Sequence, residues 1–300
     1  MVKVSAFRAC LVVCAAALAA CSEGEDARPP QPAPRSETRP TRIVALTCAA
    51  VDVIGTLGEM DRVIAVEEDC PAPGTQGKVK IRNDDHPGKL QAINVESVIA
   101  LHPDLVIAKP DLREPLDGRG LRILWTPPVV TMGNLEAFVL DIGRALGAEE
   151  RARQVMARMR ERQQAIAKLT AGVKPVRVYY ETTGLGWTVG KGPVMDDMIR
   201  LAGGLSIAGD VEKANVTLNG EAILAADPEV IVLGAFADAE AQVVARPGWD
   251  KLSAVRNKRI HRIPLDRRYV MLGTPRCVEG CEEMLLPWLH PELVPAQKER

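Results

Sequence analysis

The sequence predicts an α/β protein of two lobes joined by one long α-helix. Short runs that are apolar on both faces, as in a covered parallel sheet, alternate with helical patterns. A single amphipathic helix divides those runs into two series, and a helix–turn–strand unit occurs twice, 125 residues apart.

In the first series Ile43–Leu46, Val63–Val66, Leu105–Ala108 and Ile123–Trp125 read as strands, separated by helical stretches such as Val51–Leu57 and Val95–His102. In the second, Val176–Tyr180, Val230–Leu233 and Arg259–Ile263 are interleaved with helices near Val194–Ala202, Gly220–Ala226 and Thr274–Leu289. Between them, from Ala148 to Thr170, the apolar residues Ala152, Val155, Met156, Met159, Ile166 and Leu169 recur at helical spacings, and Arg151, Arg158, Arg160, Glu161 and Lys168 take the other face. Neither Gly nor Pro interrupts this stretch before Gly172. A helix of that length is ~30 Å long, enough to run from one lobe to the other.

The repeated unit runs from Glu96 to Ile107 and from Glu221 to Val232. Each copy has glutamate and proline seven apart (Glu96 and Pro103, Glu221 and Pro228) and an asparagine two residues before the glutamate (Asn94, Asn219). The residue before a proline resists helical dihedrals, so each proline turn ends a helix and feeds a strand.

The chain opens on an address. Lys3 and Arg8 form a positive n-region, and Ala9–Ala20 is an apolar stretch of 12 residues, too short to span a bilayer. Leu18-Ala19-Ala20-Cys21 resembles the lipobox of bacterial lipoproteins, which implies cleavage before Cys21 and lipidation of that cysteine; a plain secretory signal cut nearby is the alternative. Pro29, Pro30, Pro32, Pro34 and Pro40 then lie among polar residues, a composition that favours an extended tether of up to roughly 60 Å. The expected organisation is a signal peptide (1–20), lipidated Cys and tether (21–41), a first lobe (42–147), the connecting helix (148–171), a second lobe (172–295) and a tail (296–300).

A formal net charge of -1 gives no drive toward nucleic acid. The glycines at 184–192 lack the Gly-Lys-Ser/Thr ending of a phosphate loop and read as turns. An enzyme is not expected: a Cys48/His86 pair has nothing to orient it, and the other histidines (His102, His261, His290) fall at structural positions.

Arg42–Asp52, Leu57-Gly58, Asp61–Val66, Asn94-Val95-Glu96 with Pro103–Val106, Ala145–Ala148, Leu201–Gly204, Arg246–Trp249, Ala254–Asn257, Pro275-Arg276 and Leu289–Pro291 together resemble the type III periplasmic substrate-binding proteins, which feed ABC importers for cobalamin, haem and ferric siderophores. The likeness covers residues 42 to about 293. It implies two Rossmann-like α/β lobes joined by one long helix, a ligand cleft between them, and a monomer on the periplasmic side of the envelope. The implied partners are ABC permease and ATPase subunits, a small-molecule metal chelate and, through the lipid, the membrane. By the same resemblance Glu96 and Glu221 match the exposed glutamates, one per lobe, that dock on permease arginines, and no cofactor is required.

Ligands of α/β sheets gather at the carboxyl ends of strands. Those ends supply Thr47, Cys48, Glu67, Glu68, Asp69 and Cys70 from the first lobe and Trp187, Phe236, Arg267, Arg268 and Tyr269 from the second as cleft candidates. Aromatic content is only 3%, which limits ring stacking, and the run Glu67-Glu68-Asp69 disfavours an anionic ferric siderophore relative to a corrinoid, haem-like or cationic chelate. Of seven cysteines, Cys48, Cys70, Cys277 and Cys281 remain after export and acylation. They are open to three readings: disulfides, with Cys48–Cys70 the simplest; ligands of a soft metal or metal complex; or unpaired thiols. Cys277 and Cys281 share a helix face too widely spaced to bond each other. The metal reading supports an alternative function, thiol-based soft-metal trafficking or sensing on the same fold.

Overall fold

The structure, a computed structural model, describes residues 39–294 apart from 69, 71, 82 and 85–91; the side chains of 83, 84, 92 and 268–270 are also left out of the description. The expected signal peptide, Cys21, most of the tether, Asp69, His86 and the tail lie outside the described residues, as do the side chains of Arg268 and Tyr269.

The first lobe is a five-stranded, wholly parallel sheet of order β3-β2-β1-β6-β7, made of β1 (Ile43–Ala45), β2 (Val63–Glu67), β3 (Val79–Ile81), β6 (Leu105–Ala108) and β7 (Ile123–Trp125). A small antiparallel pair, β4 (Asn83–Asp84) and β5 (Ala92–Ile93), stands apart from it. The second lobe has a parallel sheet of order β10-β8-β12-β13, from β8 (Val176–Glu181), β10 (Gly204–Ser206), β12 (Val230–Leu233) and β13 (Ile260–Arg262). There β9 (Trp187–Val189) pairs antiparallel with β11 (Asn215–Thr217).

Alternation along the strands explains a layered core, because successive side chains point to opposite faces. Ile43 and Ala45 join one buried cluster and Val44 and Leu46 another. In the second lobe Val178 and Tyr180 point to one face and Tyr179 to the other. The inner cluster runs without a break through both lobes. It takes in α1 (Cys48–Thr56), α4 (Met132–Leu146), the connecting helix α5 (Glu149–Leu169), α6 (Val194–Leu201) and the last helical segment. The outer faces are covered by α2 (Val95–Ala100) and α3 (Arg113–Leu116) in the first lobe, and by α7 (Gly220–Ala226), α8 (Glu240–Val244) and α9 (Ser253–Arg256) in the second.

The connecting helix buries Ala152, Val155, Met156, Met159 and Ile166 as its spacing predicts. Leu169 departs from that pattern; it sits in the last turn and is exposed. The α4 helix is an addition to the sequence reading. Thr131 and Asn134 form its capping box, and Gly147 ends it with a left-handed φ of 64°, the dihedral that glycine adopts without a Cβ penalty. The last helix is not continuous α-helix: α10 (Cys277–Gly280) passes through a π turn (Cys281–Leu285) into α11 (Leu286–Leu289), where Pro287 has no N–H to donate.

The internal repeat is structural as well as sequential. Asn94 Oδ1 accepts from Ser97 N at 2.8 Å and Asn219 Oδ1 accepts from Ala222 N at 2.8 Å, so both asparagines are helix N-caps. His102 and Asp227, each before a proline, are non-glycine residues with left-handed φ, 45° and 40°. The acid after each proline then ties the next strand to its neighbour: Asp104 accepts from Thr41 N and Arg42 N, and Glu229 from Arg177 N.

Candidate functional site: a cleft at the facing strand ends

The carboxyl ends of both parallel sheets open on one cleft of about 490 Å³. Thr47 and Cys48 follow β1, Glu67 ends β2, Lys109 follows β6, and Thr126–Val130 follow β7. From the other lobe come Tyr180, Thr182 and Thr183 at the end of β8, Phe236 after β12, and Met271–Gly273. Loops chosen by the strand-end rule in both lobes therefore contribute to the lining of this cleft.

Within those loops the candidate residues divide between the cleft lining and positions off it. Thr47, Cys48, Glu67 and Phe236 line the cleft. Trp187 is not in the lining; it begins β9, whose Val189 is, and is 55% exposed. Arg267 is turned aside by an ion pair with Glu283. Glu68 is exposed outside the cleft, its N–H donating to Ile81 O at 3.0 Å, and Cys70 is buried off the lining. Of the acidic run Glu67-Glu68-Asp69, Asp69 lies outside the described residues and Glu67 is the one described carboxylate on the cleft lining. That carboxylate is engaged: Glu67 Oε1 accepts from Cys48 N at 3.1 Å and from the Cys48 thiol at 2.6 Å, at the N-terminus of α1.

The shortage of rings is also less severe than composition suggests. Two of the three phenylalanines, Phe138 and Phe236, and one of three tyrosines, Tyr180, line the cleft, with Val129, Val130, Val189, Val194 and Met195 between them. Phe138 reaches it from α4, a helix the sequence reading had not placed. Burial raises the Tyr180 phenol above its ordinary range, so it stays neutral, and its hydroxyl lies 3.4 Å from Met271 Sδ. The walls are thus apolar and aromatic, and Thr47, Thr126, Thr182, Thr183, Asn215 and Lys109 supply polar groups, the usual make-up of a small-molecule site.

A buried network supports the second-lobe rim. Arg246 holds Glu181 bidentately at 2.6 and 2.8 Å, pairs with Asp238 at 2.7 Å and stacks over Trp249 at 4.6 Å. The Tyr179 hydroxyl donates to Glu181 Oε2 at 3.0 Å and accepts from Gly186 N at 2.9 Å. Gly186, with φ of 83°, sits where a Cβ would come within 2.0 Å of Leu218 O, which accounts for glycine in what is a turn and not a phosphate loop.

The four cysteines are thiols, and they do not converge. Cys48 lines the cleft with its thiol on Glu67, and Cys70 is buried off that lining. Cys277 and Cys281 lie in the core among Met195, Met198 and Met284, where burial pushes Cys277 up to about 12. Among the described residues no group of three His, Cys, Asp or Glu is placed to hold a metal ion, so a four-thiol metal centre is corrected: the last helix buries its pair in the core, away from the cleft lining. The described histidines are structural. His261 stacks on Trp288 at 5.0 Å, and His290 meets Gly203 O at 3.1 Å. Glu96 and Glu221 are both exposed in the first turns of the matched helices α2 and α7.

Two α/β lobes whose strand ends face one cleft define a two-lobed binding protein. A family profile described as "Periplasmic binding protein" matches residues 43–266, and the chain belongs to that family. It is a binding protein and not an enzyme, and it acts on the extracytoplasmic side of the membrane. Among curated relatives, a cobalamin-binding protein of Halobacterium salinarum is 29% identical over 264 residues, 83% of this chain and 69% of that one. An uncharacterized ABC transporter substrate-binding lipoprotein of Bacillus subtilis is 28% identical, covering 82% of this chain and 79% of its own. Among solved structures, a periplasmic heme binding protein from Pseudomonas aeruginosa superposes with a TM-score of 0.73 over 86% of this chain and 95% of its own, at 20% identity, and shares the fold.

Proposed function

We propose that this protein captures a metal chelate of the corrinoid type in the cleft and delivers it to the permease and ATPase of an ABC importer. The observation that carries the reading is the cleft itself: apolar and aromatic walls from both lobes, with neutral polar groups and a single lysine and glutamate among the described lining residues. A large, nearly neutral chelate rimmed with amides suits such walls, whereas a polyanionic siderophore finds only one cation there. The relative named as cobalamin-binding supports the same ligand class. Delivery uses Glu96 and Glu221, one per lobe, whose matched N-capped helices present both carboxylates to solvent. Complementary charge at such points sets the register of docking more than its strength. Cys21 carries the lipid that holds the protein at the envelope, and the lipoprotein named in Bacillus subtilis supports that anchor.

The test is uptake of labelled corrinoid by cells carrying the Glu96→Lys, Glu221→Lys double variant. Uptake falls at least ten-fold while ligand affinity of the purified variant is retained. Unchanged uptake contradicts delivery through these residues.

A further inference from the structure

The strand order of the first lobe brings two opposite charges to the cleft lining, one on each side of β1. Glu67 ends β2 and Lys109 follows β6, so their strand ends stand two strand spacings, ~10 Å, apart. The Glu67 carboxylate is already engaged: its Oε1 accepts from Cys48 N at 3.1 Å and from the Cys48 thiol at 2.6 Å, at the N-terminus of α1. Lys109 differs. Its backbone is fixed, since its carbonyl accepts from Leu112 N at 3.1 Å in a turn that Pro110 opens and the buried Leu112 anchors. Its half-buried side chain, however, has no hydrogen bond or ion pair among the described residues. The facing lobe supplies no opposite charge either: its described lining residues, Tyr180, Thr182, Thr183 and Phe236 among them, are all neutral.

We propose that Lys109 selects, among corrinoids, those that carry a phosphodiester, by pairing its ammonium with that one anion. The selection rests on the corrinoid reading of the cleft. A cation beside apolar walls has lost part of its hydration, so an opposite charge brought by the ligand gains more there than on an open surface. One lysine neutralises one anionic group. A second anion would meet no further cation among the described lining residues and would be repelled by Glu67, so a chelate with two or more carboxylates, haem included, fits less well. The amide rim of a corrinoid suits the hydroxyls of Thr47, Thr126, Thr182 and Thr183, and the phosphodiester of its nucleotide tail supplies the single charge. A corrinoid truncated before that tail lacks the charge and leaves the ammonium unpaired in the filled cleft. A site discriminates strongly against an analogue that strands one of its own polar groups in this way.

The experiment is calorimetric titration of the full chain with cyanocobalamin, with dicyanocobinamide, which lacks the phosphodiester, and with haemin. The wild type is expected to bind cyanocobalamin at least about ten-fold more tightly than dicyanocobinamide. Lys109→Met loses that preference by weakening cyanocobalamin alone, its unchanged affinity for dicyanocobinamide showing that the cleft is intact, and Lys109→Arg keeps the preference. Equal affinity of the wild type for the two corrinoids overturns the selection and leaves the ligand reading standing, as does a preference that survives in Lys109→Met. Haemin bound more tightly than either corrinoid, and weakened by Lys109→Met, assigns the lysine to carboxylates and overturns it too. Absence of binding by both corrinoids overturns the ligand reading and the selection together.

Discussion

Arg276 Nη1 lies 3.0 Å from Asp52 Oδ1, joining the start of the last helix to α1 of the first lobe across 224 residues of sequence. Arg276 also pairs with Glu279, which shares Arg162 of the connecting helix with Glu282. Three helices are thus tied by one chain of charges beside the continuous inner core.

Burial raises the Asp52 carboxyl, and Arg276 works against that rise. Arg276→Met leaves a buried carboxylate without its counter-charge and costs about 3–5 kcal/mol at pH 7. A carboxyl whose folded pKa is raised is most favourable when protonated, so the cost shrinks as pH falls toward the Asp range. Urea unfolding of wild type and variant at pH 7 and at pH 5 checks both the size and the direction.

Arg246 binds a wholly buried Glu181, and truncating it strands that charge under the rim of the cleft. Arg246→Ala is expected to lose about 3–5 kcal/mol, and the Glu181→Gln, Arg246→Met pair to recover much of the loss, because no uncompensated charge then remains. Thermal unfolding of the three variants measures the coupling.

Asp227 is depressed by hydrogen bonds from the Ser253 backbone and side chain, at 2.7 Å each. A depressed folded pKa gives stability that is present above the unfolded value of 3.8 and lost as pH falls through the folded one. Asp227→Asn therefore lowers Tm at pH 7 and lowers it less at pH 2–3, below the unfolded value. A Tm difference that is the same at both pH values contradicts the assignment.

The repeat makes a paired prediction. Asn94→Ala and Asn219→Ala each remove one N-cap and cost about 1 kcal/mol, and the two losses add because the sites lie in different lobes. Chemical denaturation of both single variants and the double variant tests this.

The strands that were legible in the sequence are those buried on both faces, such as Leu105–Ala108 and Val230–Leu233, since a covered parallel sheet leaves a continuous apolar run. Val79–Ile81 escaped because it is an edge strand with two exposed residues, and Asn215–Thr217 because none of its three residues is buried. The cleft was legible as a set of loops through the strand-end rule. Its rings were not, because Phe138 enters from the helix α4 and Tyr180 is still within its strand. Trp187 and Arg267 are candidates by residue type; the two-stranded sheet that holds the first and the Glu283 ion pair of the second are partnerships that only tertiary structure creates.

The central claim is that the cleft binds a corrinoid, and an absorbance titration of the purified protein with cyanocobalamin tests it most directly, with haemin in parallel. The account predicts a saturable one-to-one change with the corrinoid, weakened at least ten-fold when Phe236, 56% exposed at the cleft, is replaced by alanine. Absence of any saturable change with cyanocobalamin contradicts it.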